Sequence, residues 1–483
     1  MSWRLCFAVA LGAVMIAPAA RAAPPSSTPA AERLSLPSAL TLVRQSPALA
    51  TADSDLAAAD AEAREADGAD TFRVTLGATV GAQRGLADGR APSRTIDVAA
   101  GISRLLPTGG TASLRVTGAD AVTDDATPHL VSSQVALQLK QPLARGTGRN
   151  ASDAAQDRAR VARDATRLER VRVATTVERD LVIAYWELAF AWQELAVREH
   201  SLDLASAQLR RVRAGMRQGQ IAPSEGLALE QGIAQRTAQV ARARQNITRR
   251  SLALRTQLAL PIAPGAIAIA TDPLPVLASD EPPDADAVLA RALTTSPELA
   301  VLEARARGAT IDVEVTANGQ LPALDLTIEA GPAGLGADPG GALRSLGNGD
   351  GYQATAGLEL RWDIGGAAAE GRAMKARVAR QRVRIDSATA RAQLAAAVID
   401  AVEQRDTARA VIDLATRERE LAAQGVTAEQ ARFDLGKATS FDVLARQQEL
   451  ADAELRRVRG VVDYLQARAI VDALTGDLPR RGR

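Results

Sequence analysis

Two short stretches decide how this chain is organised: Ser46-Pro47-Ala48-Leu49-Ala50 and, 250 residues later, Ser296-Pro297-Glu298-Leu299-Ala300. Each follows a short helix-like segment, with Leu40 and Val43 before the first and Leu289 and Leu293 before the second, and each enters an alanine-rich run. Serine followed by proline suits a helix start. The hydroxyl caps a backbone N–H that the first turn leaves without a partner, and proline's missing N–H needs none there. One five-residue match is weak by itself. The same order of elements follows both copies, which makes the pattern a duplication.

After the first helical run the period changes to two. Phe72, Val74, Leu76, Ala78 and Val80 alternate with small and polar residues, which predicts a strand. Residues 96–102 and 112–117 are weaker strands around the turn Pro107-Thr108-Gly109-Gly110, and 129–143 alternates again without a cleanly apolar or charged face. In the second copy a strand is predicted over 321–329, a glycine-rich surface loop over 331–351 and a strand over 352–362.

Long helical tracts follow both strand sets. Residues 151–216 contain no proline, and Leu168, Val171, Leu181, Leu188, Leu195, Leu202, Leu209 and Val212 recur at threes and sevens. A helix of that length reaches roughly 90–100 Å and argues for a coiled coil. A second helix is expected to about 258, a proline-rich linker over 261–283, a helix over 367–423 broken at Gly425 and Gly436, and a last helix over 440–474.

Composition narrows the function. Positive and negative side chains number 58 and 57, so no global basic field marks the chain for nucleic acid. Aromatics make up only 2% of residues, which favours close-packed helices with small side chains over an ordinary globular core. Arg4, the apolar run 5–16 and Ala20-Arg21-Ala22 predict a secretory signal over 1–22, cleaved after Ala22. Cys6, the sole cysteine, falls inside it, so the exported chain is expected to lack disulfides and a lipidated cysteine. No HExxH, GxSxG or EF-hand pattern occurs, and His129 and His200 lie far apart. Neither an enzyme, a cofactor nor a metal site is expected.

The repeats, Leu321-Pro322-x-Leu324, Leu139-Lys140-Gln141-Pro142-Leu143 with Gly146, and Gly436 ahead of Phe441-Asp442-Val443-Leu444 together resemble the outer-membrane efflux protein family, the TolC-like channels of Gram-negative bacteria. The resemblance spans nearly the whole chain beyond residue 22: a first repeat over 23–260, the linker 261–283 and a second repeat over 284–483. It implies an α+β membrane channel, a homotrimer in which each protomer gives four strands to a shared twelve-stranded outer-membrane β-barrel. A long coiled-coil α-barrel continues it through the periplasm, with a belt from the short helices and the linker. Residues 92–120 are an additional hairpin, expected in or beside an extracellular loop.

The implied function is the outer-membrane channel of a tripartite efflux or type I secretion system. It is a passive duct embedded in outer-membrane lipid, served by a periplasmic adaptor and an inner-membrane pump of the RND or ABC type. The alternative is a periplasmic coiled-coil structural or adaptor protein without a pore, for which the paired strands have no use. By the resemblance, Asp442 and Glu225 are constriction acids, and Phe433 stands where a gating tyrosine is found. Ala438 and Ala445 replace a gating arginine and a second aspartate. Adaptor docking would fall on the helical tips at Gly219, Gln220, Pro223, Gly436, Lys437 and Thr439. Met216 and Met374 are the only methionines after the signal, so no Met-rich metal pathway is expected.

Overall fold

The computed structural model describes residues 32–83, 93–122, 130–218, 223–264, 267–277 and 284–478. The predicted signal, His129, Gly219 and Gln220 lie outside them.

The chain starts with a two-residue strand, β1 (Glu32–Arg33), and a short helix, α1 (Leu36–Leu42). Then comes α2 (Pro47–Asp67), opened by Ser46, whose hydroxyl accepts from the Leu49 N–H at 3.4 Å. Four strands follow: β2 (Arg73–Gln83), β3 (Ser93–Leu105), β4 (Thr111–Val122) and β5 (Leu130–Pro142). One turn of helix, α3 (Arg149–Ser152), leads into the 64-residue α4 (Ala154–Arg217), which α5 (Pro223–Gln257) packs against.

The linker contributes β6 (Ile269–Ala270). The second copy repeats the plan with α6 (Ala285–Thr295) and α7 (Pro297–Asn318), and Ser296 caps Leu299 N–H at the same 3.4 Å. Then come β7 (Ala323–Gly336), α8 (Pro339–Asn348), β8 (Gly351–Arg361), the 68-residue α9 (Ala367–Asp434) and α10 (Ser440–Leu474).

Among the described residues six strands form one sheet in the order β2-β3-β4-β5-β7-β8, antiparallel throughout. This corrects the expectation of four strands per protomer. The hairpin at 92–120 is no loop appendage: β3 and β4 are full members, paired along their length with β2 and β5. Weak alternation in each segment alone hid this, because a strand flanked on both sides tolerates small residues such as Ala99, Ala100 and Gly118.

Two further expectations are corrected. The stretch 331–351 is not a loop: β7 runs on to Gly336, and Asp338 caps α8 by accepting from Gly341 N–H at 2.9 Å. Gly331, Gly334 and Gly336 serve close approach. A Cβ at Gly334 would lie 2.3 Å from the Ala342 carbonyl oxygen, so α8 can lie against the sheet only with glycine there. Nor does Gly425 end a helix; α9 passes through it to Asp434. A lone interior glycine costs about 1 kcal/mol relative to alanine, which packing along the helix offsets.

The largest buried cluster lies midway along the long helices. Leu34 and Val43 from the start of the chain and Ile269 from the linker meet Leu181, Tyr185 and Leu188 of α4, Leu254 of α5 and Tyr464 of α10. Backbone groups of the linker are matched individually. The Trp192 indole N–H donates to Ile269 O (2.7 Å), Ser251 Oγ accepts from Ile269 N–H (3.2 Å), and Tyr185 Oη accepts from Asp272 N–H (2.7 Å). Buried Arg255 spans Ile267 O, Pro261 O and Glu32. These pairings satisfy irregular backbone that burial would otherwise penalise, and they hold the start of the chain and the linker against the long helices.

Candidate functional site

The register of the ladders decides which side chains share a face. One face carries Val74, Leu76, Ala78 and Val80 of β2, then Ile96, Val98, Ala100 and Ile102 of β3. Leu114 and Val116 of β4 and Val135, Leu137 and Leu139 of β5 continue it. It closes with Leu324, Leu326 and Ile328 of β7 and Ala354, Ala356, Leu358 and Leu360 of β8. Many are exposed, Leu76 at 81% and Leu358 at 66%. A continuous exposed apolar surface of this breadth is foreign to a water-facing sheet.

The opposite face is polar: Arg73, Thr75 and Thr79; Thr95 and Asp97; Ser113, Arg115 and Thr117; Gln134, Gln138 and Lys140; Asp325, Thr327 and Glu329; Gln353, Glu359 and Arg361. Contacts confirm the assignment. Asp325 pairs with Lys140 at 3.4 Å and with Arg361 at 3.3 Å across three strands. On the apolar face, charge is confined to strand ends: Arg94 and Asp120 far from the helices, and Arg104 near them. Arg104 stacks over the Phe72 ring and donates to Asp70 O. Phe72 and Trp362 flank the helix-side rim and Tyr352 the far rim, all exposed. One apolar face, one polar face and aromatic ends are the pattern that a membrane-spanning strand set requires.

The helix-side rim is a built joint. Leu143 N–H donates to Leu324 O (2.7 Å), and Gly146 N–H to the Asn318 side chain (2.8 Å). The β3–β4 turn is held there too: Gly148 N–H donates to Thr108 O, and Gln141 is hydrogen-bonded to both Thr108 Oγ1 and Thr108 O.

At the opposite end of the helices lie the tips. The α9 C-terminus closes on Gly436 at φ +69°, with Gly436 N–H donating to Phe433 O and Lys437 N–H to Arg432 O, a Schellman turn that needs the left-handed residue. Thr439 then caps α10. Asp442 completes a capping box, its Oδ2 accepting from Thr439 N–H (2.9 Å) and Thr439 Oγ1 (2.8 Å). Those bonds favour the carboxylate and hold Asp442 below the usual aspartate range. Its side chain remains exposed.

Glu225 reaches across from α5. Its Oε2 accepts from Ser440 N–H at 3.1 Å, so it serves as a second cap on α10 and joins the two hairpin tips. Phe433 packs against the small cluster of Leu209, Val212, Leu229 and Leu444. Pro223 begins α5. The sequence reading missed Arg236. Its buried guanidinium donates to Ser201 Oγ (3.0 Å), Gly232 O (3.4 Å) and Leu444 O (3.2 Å), binding α4, α5 and α10 together, and burial lowers its pKa. The available signal was Arg236 standing on the α5 face that carries Leu229, Ile233 and Val240.

Higher up, Glu187 receives Arg459 (2.8 Å), Arg250 (2.9 Å) and Gln466 (2.8 Å). Burial raises its pKa, but the hydrogen bonds from Gln466 and Arg459 and the nearby arginine charges outweigh it, and the net shift is downward. Among the described residues no cluster of side chains could hold a metal ion, and no helix is long and apolar enough to cross a membrane.

An open antiparallel sheet with an apolar and a polar face, carried on very long helical hairpins, is a fold shared with solved outer-membrane channels. Residues 288–477, most of the second repeat, match the model of the family described as outer membrane efflux protein, which bears out the resemblance read from the repeats. Solved structures share the fold over almost the whole chain. The outer-membrane channel OprN aligns with a TM-score of 0.71 at 15% identity, over 92% of this chain and 90% of its own. The outer membrane protein VceC from Vibrio cholerae aligns at 0.69 and 17%, over 91% and 96%. The MtrE outer membrane channel of Neisseria gonorrhoeae, solved in an open state, aligns at 0.68 and 16%, over 92% and 89%. No curated protein sequence matches the chain.

Proposed function

We propose that this chain is the outer-membrane channel of a tripartite efflux or type I secretion system. It is a passive duct from periplasm to exterior, fed by a periplasmic adaptor and an inner-membrane pump of the RND or ABC type. One observation carries the reading: the sheet is apolar on one face, polar on the other and, among the described residues, unpaired at both edges, β2 and β8. An open edge and a bare apolar face are intolerable in one copy and resolved when copies close a barrel in lipid.

A homotrimer supplies that closure. It is also supported by α9, where Met374, Val378, Ile385, Ile399, Leu414 and Leu421 leave an exposed apolar stripe for a neighbouring copy. The periplasmic coiled-coil alternative leaves the two-faced sheet without a role.

At the tips, Asp442 is the constriction acid, its charge maintained by the capping box. Glu225 and Phe433 keep the hairpins together behind it. Leu227, Leu435 and Phe441, each more than 60% exposed beside Pro223, Gly436, Lys437 and Thr439, offer the adaptor an apolar landing. Gly219 and Gln220, docking positions by sequence alone, lie outside the described residues.

The test is single-channel recording of the detergent-purified protein in planar bilayers. Wild type should form cation-preferring pores. Asp442→Ala should lower that preference most, and Glu225→Ala should raise spontaneous opening by freeing Ser440 N–H. Protein that is monomeric in detergent and forms no pores would defeat the channel reading.

A further inference from the structure

We infer that the membrane barrel of this protein is eighteen-stranded, with the β3–β4 hairpin inserted as two additional spanning strands in every copy. The inference rests on the trimeric channel reading and concerns what that channel's wall contains. Four observations meet here. First, β3 and β4 pair continuously, from Arg73↔Ser103 to Gln83↔Ser93 on one side and from Thr111↔Lys140 to Ala121↔Leu130 on the other. They are thirteen and twelve residues long, sufficient to span a hydrocarbon layer at a tilt. Second, the inserted strands keep the sheet's faces. Ile96, Val98, Ile102, Leu114 and Val116 join the apolar surface, and Asp97 and Arg115 join the polar one.

Third, the turn joining them is fastened to the rim above the helices. Ser152 Oγ donates to Pro107 O, and Gly148 N–H donates to Thr108 O. The hairpin therefore cannot be an extracellular flap. Fourth, an even insertion preserves direction. With six antiparallel strands, the edges β2 and β8 run opposite ways, so β8 of one copy meets β2 of the next as an antiparallel pair with matching faces.

The second copy of this chain is thus the partner that fits each edge, and three copies close the ring. At similar tilt, barrel diameter grows roughly linearly with strand number, so the lumen is about half again as wide as with twelve strands. Each copy also presents three strand connections at the far rim, and the duct ends in a broader mouth than its helical part requires.

Cysteine accessibility in outer-membrane preparations tests the wall directly, in a background lacking Cys6 and with a charged maleimide as probe. On β3 and β4, Asp97→Cys and Arg115→Cys should label, while Val98→Cys and Val116→Cys should be protected at least tenfold. Thr75→Cys against Leu76→Cys on β2, and Glu359→Cys against Leu358→Cys on β8, are the controls. Alternation in the controls with labelling of all four hairpin positions would overturn the inference and leave the channel reading standing. Loss of alternation in the controls as well would remove the channel reading and this inference together. A density map of the detergent-purified assembly then counts the strands: eighteen are expected, and twelve, from any number of copies, would refute it.

Discussion

The two halves of the chain begin alike and then diverge. Ser46 and Ser296 cap their helices through the same bond at 3.4 Å, and α2 and α7 both lie against the long helices that follow the strands. Yet the first repeat sends four strands into the sheet, and the second sends two joined through α8. The difference teaches what a sheet can absorb. Side chains alternate every residue and neighbours run antiparallel, so inserting two strands restores both direction and face for everything beyond them. A single inserted strand would reverse the direction of β5 and break its continuation into α4. The helical part has no such freedom, because its length is tied to the belt and to the partner hairpin.

The sharpest way to break this comparison is to charge the shared face in both repeats. Val98→Arg in the first repeat and Leu358→Arg in the second should each cost about 2–4 kcal/mol if both positions face lipid at mid-depth. The polar-face changes Thr95→Arg and Thr355→Arg should stay within about 0.5 kcal/mol. Folding into vesicles, followed by urea titration, reads both. A tolerated arginine at 98 alone would place the inserted hairpin outside the membrane.

Next in size is the tie between repeats at the tips. Arg236→Met leaves Leu444 O and Ser201 Oγ without their buried donor and should destabilise the hairpin pair by about 1–3 kcal/mol. A lower thermal midpoint with unchanged helix content at 20 °C is the expected readout. No shift would mean that packing around Gly232 and Leu444 suffices.

The caps offer an internal control. Ser46→Ala and Ser296→Ala should each cost about 1 kcal/mol, and by similar amounts, measured as thermal shifts in the same detergent. A clear inequality would show that the repeats are no longer equivalent even where their geometry agrees.

The smallest expected effect is on stability at Asp442. Its carboxyl is held below the ordinary value near 3.9. Whatever the capping box contributes is therefore complete above that value and disappears as pH falls through the depressed one. Cation preference should follow the same course, constant from pH 8 to 5 and fading only in stronger acid. Asp442→Asn should flatten that profile. A wild-type midpoint above pH 5 would show that the three charges raise one another more than the caps lower them.

Much of this could be read from one dimension. The duplicated Ser-Pro starts, the helices of α4, α5 and α10 and the existence of every strand in the sheet follow from spacing and caps, since these are local consequences of backbone geometry. The capping box at Thr439 and Asp442 is local in the same way, since it joins residues three apart. Three things needed the third dimension. The membership of β3 and β4 in the sheet rests on partners tens of residues away, and weak alternation within each strand becomes a sharp two-faced surface only when the registers are aligned. The fold of 331–351 depends on α8 lying against Gly334, and glycine looks the same in a loop as at a close contact. The clamp of Glu225 on Ser440 and of Arg236 on Leu444 joins residues over 200 positions apart. Local pattern determined the elements of this protein; only packing decided how many strands share its sheet and what holds its tips together, because neither strand pairing nor buried charge satisfaction is local in sequence.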